Sequence, residues 1–166
     1  ASNGSGPHLQ MVLLASMTGV KLVHLPYKGG GPAVIALVSG EVQSSLATIP
    51  SVIAHIKSGR LRALGVSPAQ RSAALPEVPT IAEAGVPGYE MNPWIAVFAP
   101  SGTPKPVVDK LNAEINRALK LPDVAQSLAA QGLEPLSNSV DEVNARLKSD
   151  YDKYGHLIKL IGATID

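Results

Sequence analysis

At 166 residues the chain is long enough to bury a sizeable core in one domain or slightly more, and it is 45% hydrophobic but only 16% charged. A formal net charge of +1, with no dense cluster of Lys and Arg, leaves no electrostatic footprint for nucleic acid or an acidic membrane surface. Without cysteine there is no disulfide, thiolate nucleophile or Cys-based metal site, and the four histidines (His8, His24, His55 and His156) lack the close pairing of zinc ligands, so neither metal nor cofactor is expected. No apolar run approaches the ~20 residues that span a bilayer, and no signal peptide is visible in this chain.

In chain order, Ser2-Asn3-Gly4-Ser5-Gly6-Pro7-His8 precedes a helical pattern at Leu9, Val12, Leu13, Ser16 and Met17, so a helix is expected over residues 9–18, stopped by Gly19. Residues 20–27 read as a strand with Lys21 and His24 flanking its apolar residues. Lys28 and the triple glycine Gly29-Gly30-Gly31 follow, and Pro32 opens a short helix over 32–39 that Gly40 ends. Residues 42–47 form a small-residue strand. Ile49-Pro50-Ser51 opens a helix over 52–57 that Gly59 stops, and 61–66 is a nearly continuous apolar strand of the buried, parallel kind. This alternation implies βαβ crossovers and a mainly parallel sheet. Ligands of such sheets bind beyond the carboxyl ends of strands, where Tyr27-Lys28-Gly29 and Thr48-Ile49-Pro50 fall.

From residue 67 to 87 the pattern turns to loop, with one helical turn at 81–84 closed by Gly85. Residues 89–99 are extended in character but interrupted at Pro93, which cannot donate to a ladder, a natural crossover between two lobes. The remainder reads as helix. Thr103 caps Pro104 ahead of a stripe of Val107, Val108, Leu111, Ile115, Ala118 and Leu119. Pro122 starts a second helix stopped by Gly132. Ser139-Val140-Asp141-Glu142 is a capping box followed by Val143, Leu147, Tyr151, Tyr154, Ile158 and Ile161. These stripes require an apolar partner.

Two of these helix starts share one design, small and glycine-rich outside with Pro just inside. Unpaired N–H groups at such a start face outward with about +0.5 of a charge behind them, which suits an anion. Neither carries a nucleotide-binding signature. The candidate ligand-binding residues are therefore Ser2, Asn3, Gly4, Ser5 and His8 at the first start and Tyr27, Lys28, Gly29, Gly30 and Gly31 at the second, with Thr48 and the sole tryptophan, Trp94, beside the cleft. Each has a plainer reading. The first four suit ordinary capping and turn chemistry, His8 local packing, Lys28 a solvated charge and Trp94 core filling. An enzyme with Ser5 as nucleophile and His8 as base lacks an orienting acid nearby and has no nucleophile elbow, so no catalytic residue is expected.

The runs Asn3-Gly4-Ser5-Gly6-Pro7-His8-Leu9 and His24-Leu25-Pro26-Tyr27-Lys28-Gly29-Gly30-Gly31-Pro32-Ala33 resemble the TctC/Bug family of periplasmic solute-binding receptors. So do His55-Ile56-Lys57-Ser58-Gly59-Arg60-Leu61-Arg62-Ala63-Leu64, Leu75-Pro76-Glu77-Val78-Pro79-Thr80 and Ala99-Pro100-Ser101-Gly102-Thr103-Pro104. Together the five cover most of the chain in order. The resemblance implies an α/β fold: one lobe of periplasmic-binding-protein type II-like form, with a mainly parallel sheet flanked by helices, plus C-terminal helices that in the family belong to the other lobe. It implies a second-lobe ligand-binding domain at residues 1–90, a crossover at 91–100 and a helical portion of the first lobe at 101–166. The implied partners are a small organic acid and the membrane subunits of a tripartite tricarboxylate transporter, and the implied location is the periplasm.

Members of the family are roughly twice this length, so the chain reads as a truncated or fragment form whose orphaned apolar helix faces favour a homo-oligomer, or a module that pairs with itself instead of transporting. Many relatives carry Asp-Asn where this chain has Ala47-Thr48. That departure implies a plain carboxylate rather than an amino acid as ligand.

Overall fold

A computed structural model of the chain describes residues 2–161. Among them run six helices: α1 (Gly6–Thr18), α2 (Gly30–Ser39), α3 (Ile49–Lys57), α4 (Lys105–Leu119), α5 (Pro122–Ala130) and α6 (Val140–Ile161). Proline stands in the first turn of α1, α3, α4 and α5, where its missing N–H costs no hydrogen bond and its fixed φ already suits the helix. At α6 the expected capping box forms in full. The Ser139 N–H donates to Glu142 Oε2 at 2.7 Å, and the Glu142 N–H donates to Ser139 Oγ at 3.2 Å.

The start of α2 differs from the sequence expectation by two residues, since the helix opens at Gly30 rather than Pro32. Gly29 takes φ +101°, a conformation that a side chain would strain, and so turns the chain sharply enough for Gly30 and Gly31 to enter the helix.

Residues 20–27, 42–47, 61–66 and 89–99, expected as strands, carry no helix and almost no ladder. Among the described residues the β-pairing is one parallel bridge between Val66 and Thr80. There the Val66 N–H donates to Pro79 O and the Ile81 N–H to Val66 O, both at 2.9 Å, and beyond it the Met91 N–H donates to Ser67 O at 3.0 Å. An apolar run records a preference for burial, whereas a ladder also requires an adjacent strand in register. The consequence is exposed apolar surface, with Val23 89%, Ile95 81% and Val97 74% accessible. Total accessible surface is 11076 Å², where a compact monomer of this mass exposes roughly 7,800 Å². The apolar stripes of α4 and α6 likewise remain partly open at Val107, Leu111, Leu147 and Tyr151, and the side chain of Ile161 lies outside the described residues.

Burial concentrates in two places. Val66, Leu75 and Val78 form a small core against Ile49 and Ile56 of α3 and Ala63. Leu9, Gln10, Ala33, Val34, Ala36, Tyr89 and Met91 are also buried, while α1 packs on α6, α2 on α3 and α4 on α5. Besides the packing of α1 on α6, two contacts tie later residues to α1 and α3. Tyr89, 1% exposed, donates its hydroxyl to the Gln10 carbonyl of α1 at 3.0 Å. Gly132, at φ +74°, lies so close to α3 that a Cβ there would run into Ile49 Cγ2 and Ala74 Cβ.

Replacing Gly132 by Ala adds both a clash and a strained φ, and is expected to destabilise the fold by about 1–3 kcal/mol in urea unfolding. Burial, reinforced by nearby Tyr154, pushes the Tyr89 phenol up from 10.0 to about 12. The neutral phenol is thus the form the fold prefers, and its contribution is complete below pH 10 and lost as pH rises toward 12. Tyr89→Phe is expected to cost about 1 kcal/mol at neutral pH and to remove part of the stability loss of the native chain across that alkaline window, both measurable by unfolding at stepped pH.

Candidate functional site

Three helices begin around one cavity of about 320 Å³. Ser2, Ser5 and Pro7 line it from the start of α1. Gly29, Gly30, Ala33 and Val34 line it from α2, and Ser45, Leu46, Ala47, Thr48 and Ser51 from the approach to α3 and its first turn. The two glycine-bordered turns expected from the sequence therefore share one cavity, and a third helix start closes it.

No charged side chain is among the lining residues. Four of the five lining hydroxyls already donate locally: Ser5 Oγ to Ser2 O at 2.6 Å, Ser45 Oγ to Leu46 O at 3.2 Å, Ser51 Oγ to Thr48 O at 2.7 Å and Thr48 Oγ1 to Ser51 Oγ at 3.2 Å. Unspent donors come from the backbone. Among the described residues the N–H groups of Gly6, Gly30, Gly31 and Ile49 have no protein acceptor; Gly30 lines the cavity, and Gly6 and Ile49 adjoin residues that do. The arrangement is uncharged yet electropositive, because each helix N-terminus presents the positive end of its dipole. An anion seated there accepts charge-assisted N–H bonds of about 1.5–3 kcal/mol each. Ala33, Val34, Leu46 and Ala47 supply apolar wall for an aliphatic body.

The other seven residues expected at the site do not line the cavity. Asn3 and Gly4 form the turn between Ser2 and Ser5. His8 accepts the Gly4 N–H on Nδ1 at 3.1 Å and stacks on His24, with ring centroids 4.0 Å apart. Burial, with His8 beside it, holds the His24 imidazole below its usual 6.5. Tyr27 donates its hydroxyl to Glu41 Oε1 at 2.8 Å, and that bond raises the phenol above its ordinary range. Lys28 and Gly31 are exposed. Trp94 is held on α6, its Nε1–H donating to Asp150 Oδ2 and the Arg146 guanidinium 5.7 Å from its ring centroid.

Sequence reasoning missed Pro7, Ala33, Val34, Ser45, Leu46, Ala47 and Ser51 as lining residues. A signal existed for the third wall, since Thr48-Ile49-Pro50-Ser51 repeats the pattern of a small polar residue outside and Pro inside the helix start. Ser45 and Leu46, in a run read as strand, offered none.

The family model of the tripartite tricarboxylate transporter family receptor matches residues 1–163. A protein from a tcbD–tcbE intergenic region in a Pseudomonas species is 43% identical over 159 residues, covering 95% of this chain and 47% of that protein. Among solved structures, R. palustris Rpa4515 with adipate superposes at TM-score 0.91 and 34% identity, covering 96% of this chain and 53% of that one. MatC from Rhodopseudomonas palustris with bound malate superposes at TM-score 0.86 and 32% identity, covering 93% of this chain and 54% of that one. The chain thus spans about half the length of these three proteins. They share the α/β fold of type II-like periplasmic binding proteins, which are receptors and not enzymes. With a full-length family match joined to these superpositions, the chain belongs to the tripartite tricarboxylate transporter receptor family, the TctC/Bug solute-binding proteins.

Proposed function

We propose that this chain forms the anion-holding part of a periplasmic receptor that binds a small organic carboxylate and delivers it to the membrane subunits of a tripartite tricarboxylate transporter. The observation that carries this reading is the cavity at the starts of α1, α2 and α3, lined by hydroxyls and backbone N–H groups and free of charged side chains. Its volume of about 320 Å³ falls at the small end of the roughly 300–1,000 Å³ of ligand pockets. Two family members named with their ligands hold dicarboxylates, adipate in one and malate in the other. No acidic side chain lines the cavity to meet an ammonium group, and Ala47 stands in its wall. The ligand is accordingly an acid without an amino group.

In this reading residues 1–90 are the second-lobe ligand-binding domain, 91–100 the crossover and 101–166 the helical part of the first lobe. Residues 162–166 of that last portion lie outside the described residues. The placement of Trp94 on α6 supports a crossover anchored by the C-terminal helices. Ligand contact by Asn3, Gly4, His8, Tyr27, Lys28, Gly31 and Trp94 would require a closed form in which these neighbours of the cavity turn inward.

A second reading has its own observation. Val23, Ile95, Val97 and Phe98 are more than half exposed, an apolar surface that favours a self-associating module. Sedimentation velocity at micromolar concentration separates the two. A concentration-dependent dimer or larger species supports self-association, and a stable monomer removes it.

Thermal-shift titration with adipate, malate, citrate, glutamate and aspartate tests the receptor reading. Stabilisation by one or more of the plain acids and none by the amino acids is expected; a ligand at a hundredfold its Kd stabilises by about 2.7 kcal/mol. Silence from every acid contradicts the reading. Gly30→Ala sharpens the test, because a Cβ at Gly30 meets open space and the fold tolerates it. The added methyl intrudes on the cavity, so a tenfold or larger loss of acid affinity, about 1.4 kcal/mol, is expected with unfolding midpoints unchanged.

A further inference from the structure

Among the described residues, three turns place a side-chain acceptor at the third helical position, where it takes a backbone N–H from the start of the turn. At Ser139 and Thr80 the acceptor is glutamate. Glu142 takes the Ser139 N–H, and Glu83 takes the Thr80 N–H at 2.8 Å while donating its own N–H to Thr80 Oγ1 at 3.0 Å. Both carboxyls sit below the usual carboxylate range, chiefly because of those backbone bonds, so both caps are ionised near neutral pH, the one at Glu83 paired with Arg71 at 2.9 Å. Neither faces the cavity.

At α1 the corresponding third helical position holds His8 instead. Its Nδ1 accepts the N–H of Gly4, one residue outside the Ser5 cap. An imidazole that accepts on Nδ1 keeps its proton on Nε2 and is neutral. The first turn of α1 contains no acidic residue. Gly4, at φ +69°, lies between Ser2 and Ser5, which both line the cavity. The outer face of the His8 ring stacks on His24 of the extended segment that leads into Gly29 and Gly30. One neutral ring thus ties the turn before α1 to the segment before α2, and so links two of the three walls of the cavity.

We propose that His8 is a positioning residue which braces the Ser2–Ser5 turn with an uncharged acceptor, where a glutamate cap would place a negative charge beside the seat of the anion. His8 does not line the cavity and makes no contact with ligand in this role. The proposal deepens the receptor reading and rests on it only where a ligand is used.

The test has two arms. In the ligand-free ¹⁵N-labelled protein, the His8 ring is expected to show the Nε2–H tautomer, with Gly4 among the slower-exchanging amides of its turn. His8→Ala should lower the Gly4 protection factor at least tenfold, whereas His8→Asn, with Oδ1 able to accept the same N–H, and His8→Glu should both restore it. The opposite tautomer, or equal Gly4 protection in native protein and His8→Ala, overturns the brace. In the second arm adipate and malate are titrated calorimetrically at neutral pH into the same proteins, with helix content checked by circular dichroism. His8→Asn is expected to hold affinity within about threefold of native, and His8→Glu to lose tenfold or more despite its intact turn. Equal affinity in His8→Glu overturns the argument from charge. If native protein binds neither acid, the carboxylate reading fails while the exchange arm still decides whether His8 braces the turn.

Discussion

The arrangement depends on a shortage of acceptors. The first N–H groups of any helix lack an intrahelical partner, and a fold ordinarily satisfies them with caps or water. Here α1, α2 and α3 start around one space with backbone donors left over, and their hydroxyl neighbours turn their protons onto local carbonyls instead. The result is a positive potential made without a basic side chain. Such a site attracts a carboxylate without the desolvation cost of burying a lysine or arginine alongside it.

Holding three helix starts together requires rigidity behind them. Two of the walls, α2 and α3, pack on each other, and the third, α1, packs on α6. The Tyr89 hydroxyl pins the loop after the Val66 bridge to the middle of α1, and the absent side chain at Gly132 lets the end of α5 lie directly on the first residue of α3. The late helices therefore contribute to the site without touching it.

Much of this was legible from residue order. The helices came through because their signals are local: Gly19 and Gly40 end helices, Pro7, Pro50 and Pro122 stand just inside them, and Ser139 and Glu142 bond within one turn. The convergence of two glycine-bordered starts was legible for the same reason. Strand pairing was not, because a ladder depends on residues distant in sequence, and runs such as 20–27 that look buried are open in the structure. Thr48 was expected beside the cleft, but its neighbours Ser45, Leu46 and Ala47 in the third wall were lost within a run read as strand. The work of His8 was hidden as well, since its partners are a backbone N–H and a ring on another segment.

The central claim is that backbone N–H groups at the starts of α1, α2 and α3 hold the anion. Its most direct test is an amide chemical-shift titration of the labelled protein with adipate. The account predicts saturable downfield shifts that are largest at Gly6, Gly30 and Ile49 and small at Lys28 and Trp94. Shifts centred on Lys28 or Trp94, with those three amides unmoved at saturation, would contradict it.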